Sequence, residues 1–270
     1  MSRWSTDALH VHCGPEGALA LTRLGWRRRF GEAHRYPMPA GESRWSAAAA
    51  GLAAALAEHP GMPVRVVLAN HLVQLRVIPW LDHLPGDAEY RALAQLEFAN
   101  AYGSLVDGWT IALSDEAPGQ ARIAAAIPGE LLGAIRAAAA SHRSRLLGVS
   151  PALTIAAGLW SVAASEAPQC LVAVEAGQLC FAVRDATGWR WLRQTRVDAD
   201  WAERLSQLLA EEGRLSRLDL TRETTRVFAP EANRDDLAAL QRQGFTGIDL
   251  GAKPGFPTDG DMKFITAWCA

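Results

Sequence analysis

Lysine is almost missing from this chain of 270 residues: 25 of its 27 basic residues are arginine, and only Lys253 and Lys263 are lysine. Few amines are therefore on hand for Schiff-base or general-base chemistry. An excess of charge of one sign is missing too. The net charge of −2 excludes the overall basic field of a general nucleic-acid binder. Cysteine is scarce: Cys13, Cys170, Cys180 and Cys269 stand apart with no C-x-x-C pair, which excludes a disulfide framework and fits a reducing, cytoplasmic compartment. The opening "MSRWSTDALHVH" has no apolar core of a secretory signal. One uncharged run has the length of a bilayer span, Leu146 to Ser165. Its Ala, Ser, Thr, Gly and Pro151 supply little transfer free energy, so it reads as a buried helix with Pro151 near the first turn.

Several catalytic signatures are absent as well. The chain contains no P-loop and no strand-to-helix G-x-G-x-x-G, which removes the commonest nucleotide cradles. "GVSPA" at Gly148 lacks the second glycine of a nucleophile elbow. His10-x-His12-Cys13 puts two imidazoles on one strand face and the thiol on the other, which does not make a four-ligand metal set. Arg27-Arg28-Arg29 is a short basic run that reads as a solvated strand end, or as a contact for anionic headgroups.

What is present is an alternation of strands and helices. "LHVHCGPEGALALTRLGW" at residues 9 to 26 and "CLVAVEAGQLCFAVRDATGWRWL" at residues 170 to 192 each read as strand, glycine turn and strand. In the second, Trp189 and Trp191 fall two apart and are expected on one strand face. Helices are predicted over Ser46 to Glu58, Asp87 to Tyr102, Glu130 to His142 and Asp200 to Glu212. Another is expected in "NRDDLAALQRQG", with Asn233 as N-cap, and a short helix near the carboxyl end. "VRVVLANHLVQLRVIPW" reads as two β-branched runs, Val64 to Ala69 and Leu72 to Ile78, meeting in a hairpin at Asn70-His71. Trp109 to Leu113 and Ala121 to Ile127 form a further pair, and Arg222 to Ala229 a late strand.

Two like hairpins, each opening about half of the chain, predict a duplicated α/β architecture. At these residues the sequence resembles the actin-like ATPase superfold, a two-lobed, ribonuclease H-like α/β fold with duplicated strand–turn–strand units. The block "VRVVLANHLVQLRVIPW", the helix "DAEYRALAQLEFANAYG" and the segment "WTIALSDEAPGQARIAAAIPGELLGAIRAAAASHRSRLLGVSPALTIA" resemble its degenerate members in bacterial envelope machines. These are the PilM-type protein of type IV pili and the cytoplasmic domain of the type II secretion L protein. The resemblance implies a first lobe over residues 1–150, with an inserted β/α piece at about 62–128, and a second lobe over 151–270.

Members of the superfold resemble one another in an acidic residue just before each hairpin turn, which positions magnesium around the phosphates. Matching turn to turn puts His12 and Ala173 at those positions, with Gly14 and Glu175 two residues on and Gly177 in the second turn. "GFTGIDLGAKPG" with Lys253 does not match an adenosine motif. The expectation is therefore a non-catalytic cytoplasmic assembly-platform protein, peripheral to the inner membrane and without a cofactor. The resemblance implies as partners the cytoplasmic tail of a single-span inner-membrane protein, seated as an extended peptide, and the motor ATPase; a homodimer is also consistent with it. With no membrane helix before Ala270, the expectation is a protein more like the free-standing pilus type, or a piece of a longer chain. Glu97, Trp189 and Trp191 are the partner-binding candidates, against the plainer readings of an arginine pair for Glu97 and core packing for the tryptophans. The alternative is an active ATPase or phosphotransferase that uses Mg-ATP with Glu175 or Asp185.

Overall fold

The computed structural model describes residues 7–25, 29–39, 43, 45–82, 86–160, 166–175 and 177–247. Three sheets and six helices occupy them. In chain order these are β1 (Ala8–Gly14), β2 (Gly17–Leu24), β3 (Arg29–Pro37), α1 (Ser46–Glu58), β4 (Val64–Leu68), β5 (Gln74–Ile78), α2 (Asp87–Tyr102), β6 (Trp109–Leu113), β7 (Arg122–Pro128) and α3 (Gly129–Ser141). There follow β8 (Leu146–Pro151), α4 (Ala152–Leu159), β9 (Gln169–Glu175), β10 (Gln178–Asp185), β11 (Gly188–Arg196), α5 (Trp201–Ser216), β12 (Thr225–Phe228), α6 (Arg234–Arg242) and β13 (Thr246–Gly247). By contacts the described chain divides into two compact units, one built from residues up to Val73 together with Gly129–Leu159, the other from Gln74–Pro128 and 160–247.

The first unit holds a five-stranded sheet in the order β3-β2-β1-β4-β8. β1 alternates apolar and imidazole side chains, and is nearly all buried because both of its faces are covered. Leu9, Val11 and Cys13 are buried on one side, and His10 and His12 stand on the other, opposite Leu21 and Leu19 of β2. β1 and β2 are antiparallel and β1 and β4 parallel, as a crossover through α1 requires. α1 is rich in alanine and buries Ala47, Ala48, Leu52, Ala55 and Leu56. Small side chains bring it close to the sheet. At Gly51 an added Cβ would lie 2.6 Å from the Ala18 nitrogen and 2.9 Å from the Gly17 carbonyl carbon. α4 lies against the other face, with Ala152 and Ile155 packed on Leu19, Leu21 and Val67.

The second unit holds a sheet in the order β11-β10-β9-β12-β13 and a three-stranded sheet in the order β5-β7-β6. α5 and α6 close the core of the first through Trp201, Leu205, Leu209, Ala239 and Leu240 against Val172, Phe181 and Val183. α2 covers the small sheet with Tyr90, Ala94 and Phe98. The two sheets are joined where Gly188 of β11 bridges to Ala121. A Cβ on Gly188 would meet the Ala121 nitrogen at 2.8 Å, and its φ of +105° is one that glycine favours.

The five-stranded sheets are copies of one another. Each runs third, second, first, fourth and fifth strand, with antiparallel first three and parallel last three. The registers agree residue for residue. Leu9 pairs with Val64 as Cys170 pairs with Thr225, and Gly14 faces Gly17 as Glu175 faces Gln178. The third strand of each sheet carries extra residues at the same place, opposite Thr22 and Arg23 in one and Val183 and Arg184 in the other.

Four sequence expectations are corrected. β4 and β5 do not form a hairpin: Asn70–Leu72 is a 3-10 turn that hands the chain from one sheet to another, where β5 pairs with β7. The inserted piece expected from 62 accordingly runs from Gln74 to Pro128, because Val64–Leu68 belongs to the first sheet. Leu146 begins a strand rather than a helix, and Pro151 ends it, leaving α4 only eight residues within the described chain. No helix among the described residues is long and apolar enough to cross a membrane. β3, polar and basic, is a strand that the sequence reading passed over. The run Arg27-Arg28 and the expected last helix with Lys253 lie outside the described residues.

Candidate functional site: the paired hairpin turns

Each hairpin closes on two residues, Pro15-Glu16 in the first unit and 176–177 in the second. The second turn residue is tied down the same way in both. The Glu16 carbonyl accepts the Met38 N–H at 2.9 Å, and the Gly177 carbonyl accepts the Val197 N–H at 3.1 Å. In each case the donor is the residue just past the third strand. Gly17 takes up φ +127° and Gly177 φ +71°, so glycine serves the turn in both copies. At Gly14 an added Cβ would meet only His12 Cε1 at 3.9 Å and Ala69 Cβ at 3.8 Å. That position has room for a side chain, and its counterpart in the second turn is Glu175.

The residues before the turns offer an imidazole at His12 and a methyl at Ala173. Glu175 is buried, 7% exposed, and its charge helps raise the buried thiol of Cys180, which is lifted chiefly by desolvation. Asp185 lies at the far end of β10. Burial opposes its ionisation, but two bonds from Thr187, at 2.8 Å from N–H and 2.6 Å from the hydroxyl, and the Arg190 guanidinium at 3.0 Å hold it below the usual carboxylate range. Among the described residues no three His, Cys, Asp or Glu side chains are grouped to hold a metal. Magnesium around a phosphate chain wants hard oxygen ligands; at the positions just before the turns, His12 and Ala173 supply none.

No family model and no curated protein matches the sequence. Solved structures do match. A protein of unknown function from Bacteroides thetaiotaomicron with an actin-like ATPase fold has a TM-score of 0.63 and 10% identity, covering 98% of this chain and 96% of its own. The fold is that of the actin-like ATPases. The PilM–PilN type IV pilus biogenesis complex aligns at a TM-score of 0.60 and 14% identity over 90% of this chain and 87% of that one. The cytoplasmic domain of EpsL, an inner-membrane component of the Vibrio cholerae type II secretion system, aligns at 0.58 and 12% over 98% and 96%. Both kinds of protein that the sequence resembles are thus among the structural neighbours of this actin-like chain.

Within that fold the two tryptophans make internal contacts and Glu97 stands beside an arginine. Trp189 and Trp191 do not share a face. Arg190 is the extra residue of the bulge, so Trp189 pairs with Arg184 and Trp191 with Val183, which point to opposite sides. Trp189 is 4% exposed, donates from Nε1 to Glu116 Oε1 at 2.8 Å and lies under the Arg184 guanidinium. Trp191 turns towards α5 and donates to Glu212 Oε2 at 3.1 Å, while Arg193 donates to Glu212 Oε1 at 2.8 Å. Glu97 lies 3.9 Å from Arg76, both about two-fifths exposed, the arginine pair of the plainer reading.

Two functional groups escaped the sequence reading. Glu212 is 3% exposed; its spacing from Leu205 and Leu209 places it on the apolar face of α5, a legible signal. Asn70 is 2% exposed and accepts the Leu153 N–H at 3.0 Å, capping α4 from 83 residues away. Nothing local announces that contact.

Proposed function

We propose that this chain is a non-catalytic assembly-platform protein of a type IV pilus or type II secretion machine, working at the cytoplasmic side of the inner membrane. The observation that carries this reading is the likeness over nearly the whole chain to both PilM–PilN and cytoplasmic EpsL. The turn chemistry supports it: His12 and Ala173 stand where the actin-like pattern has carboxylates, and Asp185 is spent on its own turn. The partner is the short cytoplasmic tail of a single-span inner-membrane protein, taken up as an extended peptide with main-chain hydrogen bonds for affinity and side-chain pockets for selection. The motor ATPase and a second copy of the chain are further partners of the same platform. No specific observation favours the rival, an ATPase or phosphotransferase using Mg-ATP.

The test is capture of purified full-length chain on immobilised peptides from the cytoplasmic tails of inner-membrane pilus and secretion proteins. Saturable binding to one tail, competed by the free peptide, is the expected result. Failure with every tail would leave the fold and remove this function.

A further inference from the structure

On the α4 side of the first sheet lies a cluster of donors that no acidic group among the described residues pairs with. His10 of β1 stands directly beside Arg65 of β4, and Arg23 of β2 faces Ala8 on the same side, two residues along. His10 is 2% exposed, and neither Nδ1 nor Nε2 has a hydrogen-bond partner; Arg23 Nε is also buried without one. Among the described residues neither guanidinium has an ion pair or a hydrogen bond. Among the described residues the other neighbours on this face bring no acid: Leu21, Val67, Gly148 and Ser150 in the strands, and Ala152 and Ile155 from α4. Gly148 is paired with Arg65, and nothing lies within 4 Å of the place its Cβ would take.

Buried polar atoms left unpaired cost about 1–3 kcal/mol each, and a bound ion is one explanation for those that a native structure keeps. Two guanidinium groups and one imidazole N–H, carried on one face of three adjacent strands that span about 10 Å, form a donor set for an oxyanion. Charge selects the class. A carboxylate would leave one of the two positive charges unbalanced, whereas a phosphate dianion neutralises both and has acceptors to spare for the imidazole. Arg65 is exposed and Arg23 half-buried, so the anion arrives from solvent past Arg65 with His10 as the floor.

We infer that His10, Arg23 and Arg65 form a binding site for a phosphate group, separate from the hairpin turns. The phosphate is free or is the monoester headgroup of a lipid, and the test distinguishes these. Inorganic phosphate is titrated into the full chain while the thermal midpoint and the His10 ring resonances are followed, with chloride at matched ionic strength as control. The midpoint rises and the His10 resonances move with phosphate alone. Affinity falls tenfold or more in Arg65→Gln and in Arg23→Gln, whose unchanged circular dichroism checks the fold. Flotation with vesicles containing phosphatidic acid, lost in Arg65→Gln and competed by inorganic phosphate, assigns the headgroup; a phosphate response without flotation assigns the soluble anion. No response to phosphate, or one retained in both variants, overturns the site.

Discussion

His10 is the residue whose environment has the clearest consequence for pH. Burial first, then Arg23 and Arg65, lower its imidazole pKa from 6.5 to about 4. The folded value lies below the unfolded one, so protonation favours the unfolded chain: stability from this group is intact above about pH 6.5 and falls as pH drops towards 4. The shift corresponds to about 3 kcal/mol once the pH is below both values. Denaturant unfolding of His10→Leu in phosphate-free buffer is expected to show a flatter profile between pH 6.5 and 4 than the parent; parallel profiles would refute it. Glu212 is the second such residue. Removing its carboxylate in Glu212→Ala strands the Trp191 N–H and Arg193, and the expected loss is about 2–4 kcal/mol by urea unfolding, with Glu212→Gln losing less. The spacing of Glu212 from Leu205 and Leu209 puts it on the apolar face of α5, a signal the sequence reading passed over. The opposite orientation of Trp189 and Trp191 was not legible, because one inserted residue, Arg190, reverses the side-chain alternation.

Elements were readable where local signals and tertiary contacts agree. α1 and α2 occupy the spans that propensity and periodicity predict, and α6 begins at Asn233, which accepts from the Asp235 and Asp236 N–H groups while Asp236 closes the capping box. Asn233→Ala is expected to cost about 1 kcal/mol, measured by chemical unfolding. Elements were misread where partners are remote. β4 and β5 look like a hairpin because two β-branched runs flank Asn70, yet Asn70 caps α4 and the two strands join different sheets. β3 reads as loop because an edge strand exposes Glu32, His34 and Arg35. At α1, Gly51→Ala gains about 1 kcal/mol of helix propensity but drives a methyl into the β2 backbone. The net expectation is a lower melting temperature, with the loss arising from the displaced helix.

For the whole molecule, the repeated hairpin was the sequence signal that led to the fold, and the matching registers of the two sheets explain why it recurs. Each copy uses its first two strands and a carbonyl lock on the third to fix a turn, and that geometry survives although the residues flanking the turns differ. Gly14 in one copy and Glu175 in the other occupy the same place, so the backbone frame holds with different side chains there. How the second half of the fold closes was less legible, since β13 spans two of the described residues and pairs there with β12. The docking role rests on the turns being without turnover. The measurement that tests this most directly is steady-state phosphate release by the purified chain with Mg-ATP. The account predicts a rate no different from a no-enzyme control. Turnover that disappears in Glu175→Gln would contradict it.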